Sequence, residues 1–163
     1  MARPLFKSAW AAFMAVRLPV VDVGRKIGGA VQKNTDMPVG GFQNACPIRM
    51  SYVLNYTGFP IRKSSRFAMV SGADKLQYLY RVNDMMSYLE ETFGKADKIV
   101  KSPRTSDFAG LQGIIVIKGS GWANARGHVT LWDGAVCSDT CHLMNDPENQ
   151  GFIPDTASLW VLK

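Results

Sequence analysis

The feature that most limits the fold is a change of hydrophobic rhythm along the chain. As far as Gly94, apolar residues recur at helical spacing; beyond Gly113 they fall into short β-branched or alternating runs. Residues 5–17 read as a first helix, with Leu5, Ala9, Trp10, Phe13, Met14 and Arg17 along one face. Residues 18–45, rich in Gly, Pro and Asn, read as loop with at most a short helical turn. Residues 47–57 read as a helix: Pro47 suits the first helical position, Gly58 the left-handed position after the last turn, and Pro60 bars continuation. A longer helix is expected over 74–93, with Asp74 as cap, Leu76, Leu79, Tyr80, Met86, Leu89 and Phe93 on its apolar face, and Gly94 closing it. Gly113 to Lys118 (GIIVIK) then reads as a strand, Gly119 to Gly127 as loop, and His128 to Trp132 (HVTLW) as an alternating strand. Asp133-Gly134 is a turn signal, and Leu159 to Leu162 a last strand. Helices first and an antiparallel sheet after them make an α+β fold.

The 163 residues suit a single domain, 1–163, and 47% hydrophobic against 20% charged residues is a globular balance. A net charge of +6 favours anionic partners. The cations are nevertheless scattered: Arg62, Lys63 and Arg66 form the densest group, and Lys95, Lys98, Lys101 and Arg104 a looser series, both read as solvated surface. No nucleic-acid motif is present. The sequence holds no run of 18 apolar residues, so no membrane span is expected. Arg3 and Lys7 before the apolar run Ala9–Val16 loosely resemble a signal peptide, but Arg17 interrupts the run and no small-residue cleavage site follows, so the amphipathic helix is the better reading.

Chemistry-bearing side chains are few: three cysteines and two histidines. Cys46 stands alone, just before Pro47, where free backbone N–H groups and the helix dipole stabilise a thiolate. Taken by itself, a lone cysteine is more often a core residue. His128 opens a strand behind Gly127, which leaves room for a substrate at the ring; a histidine on a strand facing a helix-terminal cysteine is the arrangement of thiol hydrolases. A third group should orient the imidazole, and Asp139, Asp133, Asn124 and Asn145 are the candidates. Asp139 is favoured because a hairpin's return strand could bring it beside His128, whereas Asp133 suits the turn itself. Cys137 and Cys141, four residues apart, are open to two readings: a disulfide around Asp139, worth about 2 kcal/mol from closing so short a loop, or a metal site shared with His142.

Three segments resemble one family. Residues 44–51, Asn-Ala-Cys-Pro-Ile-Arg-Met-Ser, are similar to the nucleophile motif of the type VI secretion amidase effectors, fourth family; residues 127–134, Gly-His-Val-Thr-Leu-Trp-Asp-Gly, to its histidine motif; and residues 137–142, Cys-Ser-Asp-Thr-Cys-His, to the segment of its third residue. Order and spacing agree across all three, and the similarity extends over most of the chain, weakest before residue 35. The resemblance implies a papain-like cell-wall peptidase fold and hydrolysis of peptidoglycan stem peptides between γ-D-glutamate and meso-diaminopimelate, with no cofactor or metal. It carries nucleophile, base and orienting acid onto Cys46, His128 and Asp139, and makes Cys137–Cys141 a disulfide. It implies synthesis in the cytoplasm, delivery on type VI secretion tube components into the periplasm of a recipient bacterium, and a cognate periplasmic immunity protein. One departure is Pro47, where a small residue such as alanine is expected; proline removes an N–H that would otherwise be available to substrate, so the Cys46 amide and the Gln43 side chain are the candidate oxyanion donors. Gln43 and Gly127 are thus the substrate-contact candidates. Two rival readings are a small zinc hydrolase and a non-catalytic basic module binding cell wall or nucleic acid.

Overall fold

The computed structural model describes residues 2–123 and 126–163. Its elements run α1 (Phe6–Ala15), α2 (Val20–Ile27), α3 (Gly29–Thr35), α4 (Cys46–Tyr56), β1 (Met69–Ser71), β2 (Gln77–Leu79), α5 (Val82–Phe93), β3 (Lys98–Lys101), a 3₁₀ turn (Thr105–Phe108), β4 (Gly113–Ser120), β5 (Gly127–Trp132) and β6 (Ile153–Val161). The fold is α+β, with the helices ahead of an antiparallel four-stranded sheet of order β3-β6-β4-β5.

The sheet is buried on both faces, which explains the unbroken apolar run of β4. Ile114 and Val116 point with Val129, Leu131 and Trp160 into one core, formed with Ala9 and Phe13 of α1, Met50, Val53 and Leu54 of α4, and Met85 and Leu89 of α5. Ile115 and Ile117 point the other way, to Phe108, Trp132, Leu143, Phe152 and Leu159. The edge strand β3 (KIVK) carries Lys98 and Lys101, charges that discourage pairing with another chain, and for the same reason it lacks a strand-like sequence signal.

Two expectations need correction. Residues 18–45 hold two helices rather than loop. Pro19 leads into α2; Val23, Ile27 and Val31 meet Ile48 and Tyr78 in a third small core. The glycines that suggest loop are there for packing and turning: a Cβ on Gly24 would lie 1.8 Å from Thr35 Oγ1, and Gly28, at φ 72°, makes the corner between the helices. The helix expected over 74–93 begins only at Val82; its first part is the turn and second strand of the β1–β2 hairpin. Asp74 caps no helix. Its Oδ1 accepts the Leu76 N–H at 3.0 Å, and its Oδ2 accepts the hydroxyls of Tyr56 at 2.7 Å and Tyr78 at 2.6 Å.

The hairpin is bound to α4 by polar side chains. Ser51 Oγ accepts the Leu79 N–H at 2.9 Å, and Asn55 donates to the Gln77 carbonyl at 2.9 Å while accepting the Ile61 N–H at 2.8 Å. Buried side chains satisfied this way hold the helix in one orientation. Elsewhere the two end segments meet: Phe6 N–H donates to the Lys163 carbonyl at 2.7 Å, and the Arg3 guanidinium pairs with Asp97 and donates to the Val161 carbonyl at 3.0 Å and to the Phe93 carbonyl at 3.0 Å.

Candidate active site

Cys46 is the first residue of α4 and is buried, its N-terminal position fixed by Pro47 behind it. The Cys46 backbone N–H donates to Asn44 Oδ1 at 3.1 Å. α4 packs on β5, the edge strand, whose second residue is His128. Beyond the turn after β5 the chain comes back beside it: Trp132 and Cys137 form a single bridge, and Ser138 N–H donates to the Leu131 carbonyl at 2.8 Å. This return is not a strand, but it is enough to set Asp139 against the histidine.

His128 Nε2–H donates to Asp139 Oδ1 at 3.0 Å, which leaves Nδ1 for the sulfur. The same carboxylate oxygen accepts the Thr130 hydroxyl at 2.6 Å. Thr130 in turn meets Ser138 Oγ at 2.9 Å, and Ser138 Oγ accepts the Leu131 N–H at 3.1 Å. A relay of hydroxyls thus ties Asp139 to the backbone of the strand that carries His128. Burial alone would lower the pKa of the His128 ring. The Asp139 carboxylate, and after it the Cys46 side chain, outweigh burial and raise it from 6.5 to about 10. Burial would raise the Asp139 carboxyl, yet His128, Thr130 and then Arg49 hold it below its ordinary 3.8.

The other candidates fall elsewhere. Asp133 serves the turn, its Oδ1 accepting the N–H groups of Ala135 and Val136 at 2.8 and 2.7 Å. Asn145 sits in a left-handed turn at φ 65°, and Asn124 lies outside the described residues. Cys137 and Cys141 are joined as a disulfide, S–S 2.10 Å, around Asp139. Their sulfurs are therefore committed to each other, and among the described residues no group of three or more His, Cys, Asp or Glu is placed to hold a metal ion. At Gly127 a Cβ would lie 2.4 Å from the Ile117 carbonyl oxygen, so close strand packing also requires glycine there.

A cavity of about 290 Å³ opens over this group, walled by Gln43, Asn44, Ala45 and Arg49 around the start of α4 and by Trp122, His128, Asp139, Thr140 and His142 opposite. A larger one of about 630 Å³, lined by the disulfide, Val136 and Met144, adjoins it through Asp139 and Thr140. The smaller is walled by both histidines and Asp139, and the larger continues from it.

The sequence points to neither Arg49 nor Asn44 as a site residue, and to His142 only as a candidate metal ligand. Arg49, one turn after Cys46, donates from Nε to the Val16 carbonyl at 3.1 Å and from Nη2 to that of Leu18 at 2.6 Å, while Nη1 stands 3.9 Å from Asp139 Oδ2. His142 packs edge-on to His128, ring centroids 5.0 Å apart, with both nitrogens engaged by Thr140 at 2.7 Å and Asn149 at 3.1 Å. Burial and then the charge of His128 lower its pKa. Asn44 and Arg49 do lie inside the 44–51 motif, which was the one available signal.

Residues 42–160 match the family of the type VI secretion system amidase effector protein 4, Tae4. The chain belongs to that family. It is an amidase effector of a type VI secretion system, a hydrolase acting on peptidoglycan. Solved structures agree over the whole length. The effector Tae4 from Salmonella typhimurium, in complex with the immunity protein Tai4 from Enterobacter cloacae, is 61% identical, with TM-score 0.94 over 99% of this chain and 100% of that one. Tae4 in the Tae4–Tai4 complex from Enterobacter cloacae is 52% identical at TM-score 0.95, with the same coverage. The Enterobacter cloacae Tae4 solved alone is 51% identical at TM-score 0.91, covering 99% of this chain and 98% of that one. No curated protein matches the chain. Among the described residues no helix is long and apolar enough to cross a membrane.

Proposed function

We propose that this amidase works through a cysteine thiolate and cuts stem peptides between γ-D-glutamate and meso-diaminopimelate, as a DL-endopeptidase. The observation that carries the reading is the His128–Asp139 bond of 3.0 Å in the cavity over the start of the Cys46 helix. The thiol proton rests on His128 as an imidazolium beside the Cys46 thiolate; the thiolate attacks the amide carbonyl, forming an S–C bond. As the tetrahedral species collapses the C–N bond breaks, and the amine leaves with the proton from His128. Water, deprotonated by His128, then hydrolyses the thioester and restores the thiol. Asp139 orients the ring and stabilises its charged form. In the free protein the Asn44 side-chain oxygen sits on the Cys46 N–H, where the substrate's oxyanion needs a donor, so substrate displaces Asn44 from it.

In this reading the chain is made in the cytoplasm, travels with type VI secretion tube components and acts in the recipient's periplasm, the oxidising setting in which the disulfide persists. The two Tae4–Tai4 complexes support a cognate immunity protein as its partner. The test is digestion of purified peptidoglycan with products identified by mass spectrometry. The wild type should release fragments with a new diaminopimelate amino terminus, and Cys46→Ala none; equal cleavage by both would sink the mechanism.

Arg49 is a positioning residue in this scheme, since it joins the cysteine helix to Asp139. Removing its charge raises every neighbouring pKa, that of Asp139 and that of His128 alike. Arg49→Met is therefore expected to move both limbs of the kcat/KM profile to higher pH by about half to one unit, with Arg49→Lys restoring the wild-type limbs. A uniform loss of rate with unmoved limbs would mean that Arg49 only braces the carbonyls of Val16 and Leu18.

A further inference from the structure

The catalytic cavity continues on the side away from the disulfide into a third cavity of about 390 Å³, and Asn44 and Trp122 wall both. The added walls are Tyr80, Arg81 and Asn83, at the start of α5, and Arg126, just before β5. Neither arginine has a carboxylate partner among the described residues. Arg81 lies over the Tyr80 ring, 5.6 Å from its centroid. Lys118, half-buried and opposite Gly127 in the sheet, is near enough to Arg126 for the two charges to repel: its pKa is lowered by burial and then by that guanidinium. Uncompensated cations beside a reaction cavity are stabilised when an anion enters between them, and guanidinium groups suit a carboxylate because they can bind it bidentately.

The opposite arm of the groove has a different character. The disulfide, Val136 and Met144 make it partly apolar, and its charged walls are Asp139, Asp146 and Glu148 against Arg104. A γ-D-glutamyl–diaminopimelyl bond joins two chemically unlike halves. The glutamyl half carries an isolated α-carboxylate. The diaminopimelyl half carries an ammonium beside its carboxylate. Charge complementarity directs the isolated anion to the arginine arm.

We propose that Arg81 and Arg126 form a carboxylate subsite that reads the free α-carboxylate of the γ-linked D-glutamyl residue and thereby sets the direction in which substrate lies across Cys46. The assignment rests on the reading of the cleaved bond given above. It makes the chain selective for the acid over the α-amide of the same residue.

The experiment is a binding measurement that needs no turnover. The tripeptide L-Ala–γ-D-Glu–meso-diaminopimelate and its glutamyl α-amide are titrated calorimetrically into Cys46→Ala and into Cys46→Ala with R81Q and R126Q, after circular dichroism has shown that both fold. The acid is expected to bind Cys46→Ala about 10- to 100-fold more tightly than the amide, the range for a hydrogen-bonded charge. The two arginine substitutions should remove that difference by weakening the acid alone. Equal binding of acid and amide to Cys46→Ala, equal weakening of both by the substitutions, or no binding of either peptide would overturn the subsite. Failure of the bond assignment has a separate signature: peptidoglycan digests by the wild type would then show a different cut, whatever the tripeptide affinities.

Discussion

His128→Ala is expected to reduce kcat/KM for stem-peptide cleavage by about 10⁴-fold, the scale of losing a base that acts in both half-reactions. The second histidine in the cavity cannot take over. Both ring nitrogens of His142 are already hydrogen-bonded, to Thr140 and Asn149, and its pKa is lowered by burial and by His128. The substitution leaves the Cys46 helix and its packing on the sheet in place, so the protein should still fold. Steady-state assays on a soluble stem peptide measure the loss. A variant keeping more than a tenth of wild-type activity would show that another group deprotonates the thiol.

Asp139→Asn has a double expected effect, on rate and on the pH dependence of stability. The rate should fall by about 10²- to 10⁴-fold, because asparagine neither enforces the tautomer with Nδ1 free for sulfur nor stabilises the imidazolium. The stability effect follows from the two shifted groups. His128 has a folded pKa of about 10 against an ordinary 6.5, so its contribution is fully present below pH 6.5 and is lost as pH rises through 10. Asp139 is shifted down, so its contribution is present above 3.8 and is lost as pH falls through its lower folded value. Wild-type Tm should therefore decline across the alkaline side by an amount worth a few kcal/mol. The variant should lack that decline: without the carboxylate, burial keeps the His128 ring neutral. Parallel Tm curves for the two proteins between pH 6 and 10 would show that the pair does not contribute as described.

Which parts were legible in the sequence follows from where side chains carry local rules. The Cys46 helix is punctuated at both ends by Pro47 and Gly58, and β4 and β5 carry β-branched and alternating patterns, so these elements and their order could be read directly. The residues proposed as nucleophile, base and acid lie on or just after them, and each falls within one of the three motifs. The α2–α3 pair was hidden because its glycines satisfy tertiary demands, Gly24 against Thr35 and Gly28 at a corner, that resemble loop composition. The hairpin was hidden because Leu76, Leu79 and Tyr80 fit a helical period as well as a strand. Only the Asp74 side chain bonded to the Leu76 N–H, with Lys75 at φ 67°, settles the turn. Arg49 acts through contacts made by tertiary folding, to the carbonyls of Val16 and Leu18 and to Asp139, which no local pattern records.

The clasp between the two end segments has a mechanical meaning. Residues 3–6 and 161–163 are held together by the Arg3 guanidinium, its partner Asp97 and the bond from Phe6 to Lys163. None of these residues walls the catalytic cavity. Tension applied through either segment therefore loads these few polar bonds. A tether on one segment leaves the surface at the same patch as a tether on the other. A carrier hung from either is therefore attached at residues that line none of the cavity over His128.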